Sequence, residues 1–370
     1  MRTLSEFYRD RRVLVTGHTG FKGTWLAAWL NHLGADVVGY SLAPPSQPCA
    51  FDALHLGDRL HDVRGDVRDR PSLYRAMKEF SPEVVFHLAA QSLVRPSLEN
   101  PSETFETNVM GTVNVLEAAR RSDSVLAIVC VTSDKSYLNK GWPWAYRETD
   151  ELGGYDPYSA SKACAELVVS CFVDARFQQA APPGRRLAVA SARAGNVIGG
   201  GDWARDRIVP DLVRSICADG KLVVRNPDAT RPWQHVLESA GAYLWLGCQL
   251  SRHGDRYSGA WNFGPAEEQS CTVAQLVAGL LARWSENPDR MVVERDTVSA
   301  ESQRLRLDCG KARQFLHWRA TWGFDETLDA VAEWYRAFLA DPQGDHYALT
   351  LQQIERYAVL ARERGLEWAV

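Results

Sequence analysis

Several features are scarce or missing in this sequence of 370 residues, and their absence narrows the class of protein. No run of about 18 uninterrupted apolar residues occurs, which argues against a membrane span. The first residues, MRTLSEFYRDRRVLVTG, lack the apolar core of a secretory signal, so we expect a cytoplasmic protein. Lysine and arginine total 42 against 46 acidic residues, a net charge of −4. Because there is no basic surplus to neutralise phosphates, we expect no nucleic-acid partner.

Metal-binding and redox patterns are also missing. The eight cysteines are scattered without CxxC spacing, and the nine histidines form no HExxH. We therefore expect no metal centre. The cysteines are expected to be small buried hydrophobic residues rather than members of disulfides.

Short apolar runs alternate with longer amphipathic segments across the first half of the chain. Continuous apolar strands in such an alternation are typical of parallel strands that are buried on both faces. The pattern predicts an α/β fold with a Rossmann-type, doubly wound parallel sheet. The predicted strands lie at 11–17, 35–42, 61–67, 82–90, 125–133 and 186–197.

The alternation ends near residue 197, where loops rich in Gly, Asp and Arg begin. We predict a dinucleotide-binding domain over 1–197, to which later segments, about 230–262, return. The remainder, 198–370, is predicted to be mainly a smaller, mixed α/β substrate-binding domain assembled from non-contiguous pieces.

A glycine-rich motif, GHTGFKG, follows the first predicted strand and precedes an amphipathic segment. Gly17, Gly20 and Gly23 permit a tight turn and a close approach of the backbone to a pyrophosphate, whose charge the free amides of a helix N-terminus hold. The placement between strand and helix predicts a dinucleotide site.

The choice between NAD and NADP stays open at this level. The second predicted strand ends in GYSLAPP, without the acid that often binds the ribose, and no arginine follows for a 2′-phosphate. Ser41 is a candidate for the ribose. Asp66, in GDVRD, either accepts a hydrogen bond from the adenine amino group or caps a turn.

A tyrosine and a lysine lie four residues apart in GYDPYSASK. Asp156 is placed to cap a helix that begins at Pro157, so Tyr158 and Lys162 project from one face. An adjacent ammonium favours the phenolate, which is otherwise rare at neutral pH, so the pair is predicted to take a proton from a sugar hydroxyl. Tyr155 precedes the cap and is the weaker candidate.

A hydroxyl, a carboxyl and an amine occupy consecutive positions in VTSDKSY, directly after the fifth predicted strand. Ser133, Asp134 and Lys135 are all groups that move protons, which suggests more chemistry than a simple dehydrogenase needs. Farther along, Arg207 and Arg231 are fork-shaped donors suited to a pyrophosphate. The alternative for these arginines is surface ion pairing with Asp206, Asp211 or Asp228.

Long stretches of the chain, from about residue 8 to 360, resemble one enzyme family. The glycine motif, YSASK and ETNVMGTVNVLEAA are similar to the extended short-chain dehydrogenase/reductase superfamily. GHTGFKG, TSDKSY, ARAGNVIGGGDWARDRIVPD and RNPDATRPWQHV more closely resemble its CDP-glucose 4,6-dehydratases. The resemblance implies an NAD-dependent lyase that makes CDP-4-dehydro-6-deoxy-glucose for deoxysugar synthesis. It also implies a homodimer or homotetramer that pairs through helices at 103–121 and 157–177.

The same resemblance assigns roles to individual residues. Asp134 is the acid that protonates the leaving hydroxyl of the sugar. Lys135 replaces a glutamate base and either takes the C5 proton or stabilises the enolate. Ser133 hydrogen-bonds the sugar and joins the catalytic set with Tyr158 and Lys162. The expected cofactor contacts are Gly17, Thr19, Gly20, Phe21, Gly23, Ser41, Asp66, Val67, Leu88, Ala89, Ala90, Gln91, Thr107, Tyr158 and Lys162. The expected substrate contacts are Ser92, Ser133, Asn196, Arg207, Arg231 and Arg304.

Three alternatives remain at the level of sequence. The nucleotide of the substrate stays open between CDP and another nucleotide, because no residue pattern in the sequence identifies a pyrimidine-binding site. A 4-epimerase or decarboxylase on this scaffold would not need Asp134. A dinucleotide-sensing protein without catalysis would not need the set of Ser133, Tyr158 and Lys162.

Overall fold

A seven-stranded, fully parallel sheet forms the centre of the molecule. The computed structural model describes residues 4–174, 177, 187–265, 271–284, 290–294 and 305–370. All six strands that the apolar runs predicted are present, which confirms the Rossmann-type doubly wound fold. From one edge to the other, the strands are Gly259–Phe263, Ala188–Ala194, Ala127–Val131, Val84–His87, Arg12–Thr16, Asp36–Ser41 and His61–Arg64.

The seventh strand comes from the second half of the chain. Gly259–Phe263 pairs in parallel with Ala188–Ala194 and extends the sheet at its edge. The sequence signal for this strand is weak, because the strand, GAWNF, has only five residues and begins at a glycine. The strand lies in the segment that was expected to return to the first domain, while the division into two domains stays a prediction.

Helices cover both faces of the sheet and create two apolar layers. Alternate residues of the first strand point to opposite faces, so Val13 and Val15 join one buried cluster and Leu14 joins the other. Among the described residues, the helices are Leu4–Tyr8, Phe21–His32, Ala50–Ala53, Arg70–Phe80, Val94–Glu99, Pro101–Phe105, Gly111–Arg121, Pro157–Val173, Ile208–Cys217, Val236–His253, Val273–Trp284, Gly310–Phe315, Phe324–Ala340 and His346–Glu363.

The remaining strands are short and lie outside the large sheet. They form pairs of two or three residues each, consistent with a smaller mixed α/β part after residue 197. The paired segments are Val197–Ile198 with Gln234–His235, Thr230–Arg231 with Cys271–Thr272, and Leu222–Val224 with Met291–Val293.

The C-terminal helix packs against both helix Phe21–His32 and helix Phe324–Ala340, where the Gln353 side chain donates to the Ala330 carbonyl at 2.9 Å. In His346–Glu363, Tyr357 meets the ring of Trp29 edge to face, with centroids 5.7 Å apart. The Tyr347 hydroxyl donates to Asn31 at 2.6 Å. Both partners belong to helix Phe21–His32, so the end of the chain closes over the helix that follows the glycine motif.

The two helices expected to pair copies of the chain differ in detail from the prediction. The segment 103–121 is not one regular helix. It is divided by a π-helical turn, Glu106–Met110, between Pro101–Phe105 and Gly111–Arg121. The second helix is Pro157–Val173, and residues 175 and 176 lie outside the described residues.

The eight cysteines are all free. Their expected burial is only partly correct, because Cys171 and Cys217 are exposed. Within the described ranges, no helix has the length and apolar character that crossing a bilayer requires.

Candidate active site

The glycine-rich turn after the first strand is packed so closely that Gly17 and Gly23 cannot carry side chains. Gly17 has a φ of +76°, and a Cβ there would lie 2.7 Å from the backbone nitrogen of Ala89. A Cβ on Gly23 would lie 2.1 Å from the carbonyl oxygen of Gly17. Gly20 caps the helix that begins at Phe21, and no side chain occupies the free amides there. The turn therefore fits the pyrophosphate of a dinucleotide, which approaches backbone amides directly.

The positions predicted for the ribose and the adenine lie beside this turn. The hydroxyls of Thr19 and Ser41 are 2.9 Å apart and hydrogen-bonded to each other. The Asp66 carboxylate accepts from the backbone and the guanidinium of Arg68, at 2.8 and 2.7 Å. Asp66 therefore caps a turn in this structure, which is one of the two readings of the sequence.

One arginine near the ribose position was missed. Arg64 ends the third strand and is the register partner of Ser41 on the neighbouring strand. Its guanidinium donates to the Leu42 carbonyl at 3.0 Å and to Asp62 at 2.7 Å. The expectation that no arginine lies near Ser41 is therefore wrong, because the sheet places side by side residues that are distant in sequence.

The other predicted cofactor positions surround the end of the fourth strand. Leu88–Gln91 continues that strand, and the Gln91 amide donates to the Asn108 side chain at 2.8 Å. Asn108 also donates to the Ser161 hydroxyl at 2.9 Å. Thr107 lies in the same π-helical turn as Asn108, and Val67 packs against the helix that follows it. Turns of this kind often mark functional sites.

Tyr158 and Lys162 lie on one face of a helix that starts where the sequence predicted. The Asp156 carboxylate caps the helix by accepting from the Ser159 amide at 2.9 Å. Both side chains are buried, and the Lys162 ammonium donates to the carbonyl of Val131 at 3.5 Å. This carbonyl ends the fifth strand, so the helix brings its tyrosine and lysine to the VTSDKSY segment.

The electrostatics of the pair differ from the sequence-based expectation. Burial raises the pKa of Tyr158, while its hydrogen bond with Ser133 and the charge of Arg207 oppose that rise. Burial also lowers the pKa of Lys162 to about 8, opposed by the charge of Glu166. The cation whose charge lowers the pKa of Tyr158 in this structure is Arg207.

A buried ion pair beneath this face was not predicted. Glu166, one turn after Lys162, pairs with Arg193 at 2.8 Å, and both side chains are almost fully buried. Glu166 also accepts hydrogen bonds from Thr132 and from Ser191, the latter at 2.7 Å. The pair therefore joins the helix of Tyr158 to two strands of the sheet. Sequence alone gives no signal for it, since its two members come from a helix and a strand that lie apart in the chain.

Asp134 lies in a close-fitting buried niche. Its side chain accepts a hydrogen bond from the Ser133 hydroxyl at 3.0 Å and contacts the Asn196 amide at 3.4 Å. A Cβ on Gly195 would lie 2.0 Å from a carboxylate oxygen of Asp134. Lys135 follows in a short 3-10 turn, and its side chain is partly exposed. The two residues thus differ in burial, with Asp134 inside and Lys135 at the margin.

The predicted substrate residues are brought together only in part. Arg207 pairs with Asp202 at 2.9 Å and reaches the Ser92 hydroxyl at 3.4 Å. Its partner is none of the three aspartates considered from sequence. Arg231 lies on a two-residue strand and donates to the Thr230 carbonyl at 3.0 Å. Arg304 lies outside the described residues.

Lys22, in the glycine motif, is a further residue that sequence reasoning passed over. Its ammonium interacts electrostatically with Asp134 and Asp202, and with the cations Arg207 and Lys162. The charges that act on Lys22 therefore belong to the cluster around Asp134. The sequence feature that could have drawn attention to Lys22 is the lysine in GHTGFKG.

Comparison with known proteins identifies the class. The sequence model of the GDP-mannose 4,6 dehydratase family matches residues 14–331, and the chain belongs to this family. The chain is 45% identical, over 90% of its length and 92% of the relative's, to a CDP-glucose 4,6-dehydratase from Salmonella typhimurium.

Solved structures agree with the fold. A dTDP-glucose 4,6-dehydratase from Streptomyces venezuelae, solved with NAD bound, is 25% identical and has a TM-score of 0.75. The match covers 90% of this chain and all of that one. A UDP-glucose 4-epimerase from Thermotoga maritima has a TM-score of 0.76 at 20% identity, with 89% and 99% of the two chains covered, which shows the fold alone.

Proposed function

We propose that this protein converts CDP-glucose to CDP-4-dehydro-6-deoxy-glucose and water, with NAD as its bound cofactor. The observation that carries the proposal is the 45% identity, across nearly the whole chain, to an enzyme of that name. The site supports it, because a buried carboxyl at Asp134 adjoins the Ser133, Tyr158 and Lys162 set. A 4-epimerase does not remove the C6 hydroxyl and therefore does not need such an acid.

The cofactor would lie along the carboxyl ends of the strands. Gly17, Gly20 and Gly23 would receive its pyrophosphate, and Ser41 with Thr19 its adenosine ribose. When bound, NAD supplies a hydride acceptor for the sugar C4 and later a hydride donor for C6. The remaining proposed contacts are Phe21, Asp66, Val67, Leu88, Ala89, Ala90, Gln91, Thr107, Tyr158 and Lys162.

Oxidation at C4 requires a group that takes the proton of the hydroxyl. Tyr158 is that group in our proposal, and Ser133 keeps its hydrogen bond to the phenol. Because burial raises the pKa of Tyr158, its phenolate needs nearby positive charge. Arg207 supplies part of that charge in this structure, and Lys162 supplies more when it is protonated.

Loss of water requires an acid at the C6 hydroxyl. Asp134 is suited to this role because it is buried beside the helix end that carries Tyr158, where water cannot replace it as the donor. Lys135 adjoins it and contributes either as a base or as a cation near the enolate. Asn196 contacts the same carboxyl and is a proposed substrate residue.

The nucleotide part of the substrate is assigned to cationic side chains. We place Ser92 and Arg207 near the sugar and its phosphates, since the two side chains contact each other beside Tyr158. Arg231 and Arg304 are proposed for the pyrophosphate by resemblance to the family.

Two copies of the chain are proposed to associate through the helices beside the site. Leu98, Met110 and Leu167 are more than half exposed on these neighbouring helices, and such large apolar side chains favour burial against a second copy. We therefore propose that the protein forms a homodimer, or a homotetramer built from two such dimers. The free cysteines are compatible with the reducing cytoplasm, where deoxysugar precursors would be made.

The test is incubation of the purified protein with CDP-glucose, dTDP-glucose, UDP-glucose and GDP-mannose in parallel. We expect a 4-keto-6-deoxy product, detected by mass spectrometry, with the highest kcat/KM for CDP-glucose. The Tyr158→Phe variant is the control and should lose about 100-fold or more in kcat, since it cannot accept the proton. Faster turnover of another nucleotide sugar would overturn the assignment to CDP, and no product with any of them would overturn the dehydratase.

A further inference from the structure

A row of stacked aromatic rings leads from the core to an exposed tryptophan. The rings of Tyr137 and Tyr146 stack with centroids 5.3 Å apart, and Tyr146 stacks on Trp142 at 5.7 Å. The Trp142 ring in turn lies 5.1 Å from the ring of Trp144. Both tyrosines are buried, whereas Trp144 is 57% exposed. The last ring of the row is therefore open to a ligand, although the rings behind it are packed.

Hydrogen bonds to a distant segment of the chain hold the backbone on both sides of Trp144. The Tyr146 amide donates to the Arg306 carbonyl, and the Asp308 amide donates to the Tyr146 carbonyl, both at 2.8 Å. The Arg306 guanidinium donates to the Pro143 carbonyl at 2.5 Å. The exposed ring and the guanidinium are therefore held next to each other by the fold.

Trp144 and Arg306 line one cavity of about 570 Å³. Sites for small molecules commonly have volumes of roughly 300–1,000 Å³. Gly195 lies in the wall of the same cavity, and a Cβ on Gly195 would lie 2.0 Å from the Asp134 carboxylate. The cavity therefore adjoins the acid that we propose for the reaction.

The charged groups of this cavity suit an anionic ligand. Its two carboxylates are already engaged, because Asp308 pairs with Arg147 at 3.2 Å and Asp150 accepts from the Arg147 amide at 2.8 Å. The contact with the Pro143 carbonyl uses only part of the N–H donors of Arg306, so the others can reach a phosphate. A planar ring joined to phosphates matches the open indole and the guanidinium together.

The cavity lies far from the site proposed for the adenosine of NAD. Gly195 and Phe263, which both line the cavity, lie at the ends of the last two strands at one edge of the large sheet. Ser41, proposed for the ribose of NAD, ends the second strand from the other edge. A nucleotide base in this cavity would therefore belong to the substrate and not to the cofactor.

We propose that the base of the substrate nucleotide stacks on the indole of Trp144 and that Arg306 binds the diphosphate. The inference rests on the proposed function and names residues that would hold the nucleotide of the substrate. Every base has a π face, so stacking on an aromatic side chain tolerates different bases. Trp144 thus contributes affinity for the nucleotide, and the choice of base falls to other groups.

The experiment measures the Kd of CDP by calorimetry for the NAD-loaded wild type and four variants. We expect Trp144→Ala to weaken CDP binding by about 10–100-fold, and Trp144→Phe to recover most of the affinity because it keeps an aromatic face. Arg306→Met should weaken CDP binding by about 10-fold, since it removes the charge and its donors. Phe315→Ala is the matched control, because it removes another exposed ring, 58% exposed, that does not line the cavity.

Each variant can contradict its part of the inference. Wild-type affinity in Trp144→Ala, an equal loss in Trp144→Phe, or the same loss in Phe315→Ala would overturn the stacking role. Wild-type affinity in Arg306→Met would overturn the contact with the diphosphate.

Turnover distinguishes failure of this inference from failure of the proposed function. With CDP-glucose, Trp144→Ala should raise KM by about 10–100-fold and leave kcat unchanged, because the ring contacts the nucleotide and not the reacting carbons. A normal KM in an active Trp144→Ala enzyme would overturn the inference alone. Absence of product from CDP-glucose with the wild type, together with CDP binding that depends on Trp144, would contradict the proposed reaction and support the nucleotide site.

Discussion

The absence of a side chain on Gly195 leaves room for the carboxylate of Asp134. The carboxylate occupies the space where a side chain on Gly195 would begin. It is 5% exposed and has hydrogen-bonding neighbours in Ser133 and Asn196. The orientation of the Asp134 side chain is therefore determined by packing against Gly195, which follows a different strand, as well as by the turn that contains Asp134.

Replacement of Gly195 by alanine should displace the carboxylate. The added Cβ would lie 2.0 Å from one of its oxygens, so the Asp134 side chain must leave its present position. We expect kcat for dehydration to fall by about 100-fold, the usual result of misplacing a catalytic group by about 1 Å. Gly220→Ala is the matched control, because the nearest atom to its Cβ is 3.8 Å away. Equal activities of the two variants would contradict this account of the niche.

Helix Pro157–Val173 is the element that joins the chemistry to the sheet. Its first turn presents Tyr158, its second presents Lys162, and its third inserts Glu166 into the core. There Glu166 meets Arg193, whose guanidinium also donates to the Tyr137 hydroxyl at 2.6 Å. A buried pair of this kind is costly to break, because the remaining partner keeps an uncompensated charge.

Glu166→Gln should therefore destabilise the fold. It leaves the Arg193 guanidinium buried without its anion, and we expect the free energy of unfolding to fall by about 3–5 kcal/mol in urea titrations. The control is Glu151→Gln, which breaks the exposed pair with Lys140 and should change stability by at most about 1 kcal/mol. A similar small effect for both substitutions would show that the buried pair does not stabilise the helix.

The outer face of the same helix is expected to mediate association. Leu167 is 58% exposed and Met110, on the neighbouring helix, is 52% exposed. A charge placed there would have to be desolvated in the interface. Leu167→Glu should therefore yield monomers in sedimentation experiments, whereas Val359→Glu, on the exposed side of the C-terminal helix, should leave the oligomer intact. An unchanged oligomer in Leu167→Glu would assign the interface to another surface.

At the scale of the whole molecule, Glu238 connects distant parts of the chain. Its carboxylate accepts from the Thr321 amide at 2.9 Å, from the Trp322 amide at 2.6 Å and from the Tyr357 hydroxyl at 2.8 Å. Burial raises the pKa of Glu238 to about 7, although these hydrogen bonds and the charge of Arg364 oppose the rise. Folding therefore favours its protonated form.

The stability of the protein should consequently depend on pH through this group. The folded pKa exceeds the ordinary value of 4.5, so the contribution of Glu238 is complete below pH 4.5 and declines as the pH rises to about 7. The change is on the order of 3 kcal/mol. Urea titrations over this range should show a smaller decline for Glu238→Gln than for the wild type. Glu363→Gln, on the exposed end of the last helix, should keep the wild-type slope, and equal slopes for all three proteins would contradict the role of Glu238.

The sequence by itself determined those features that depend on residues close together in the chain. Alternating apolar runs specify six parallel strands, since burial on both faces requires them. GHTGFKG specifies the glycine turn, and the spacing in DPYSASK specifies one helical face with Tyr158 and Lys162. Each of these signals lies within about one element, so no knowledge of packing is needed.

Only the tertiary structure decided which residues meet across elements. The hydrogen bond of Asn196 to Asp134, the pairing of Glu166 with Arg193 and the register of Arg64 beside Ser41 all join segments far apart in sequence. The raised pKa of Tyr158 likewise follows from burial, which no spacing reveals. The physical reason is that sheet order and helix packing set these distances and the local dielectric, whereas the sequence pattern sets only the direction of each side chain within its own strand or helix.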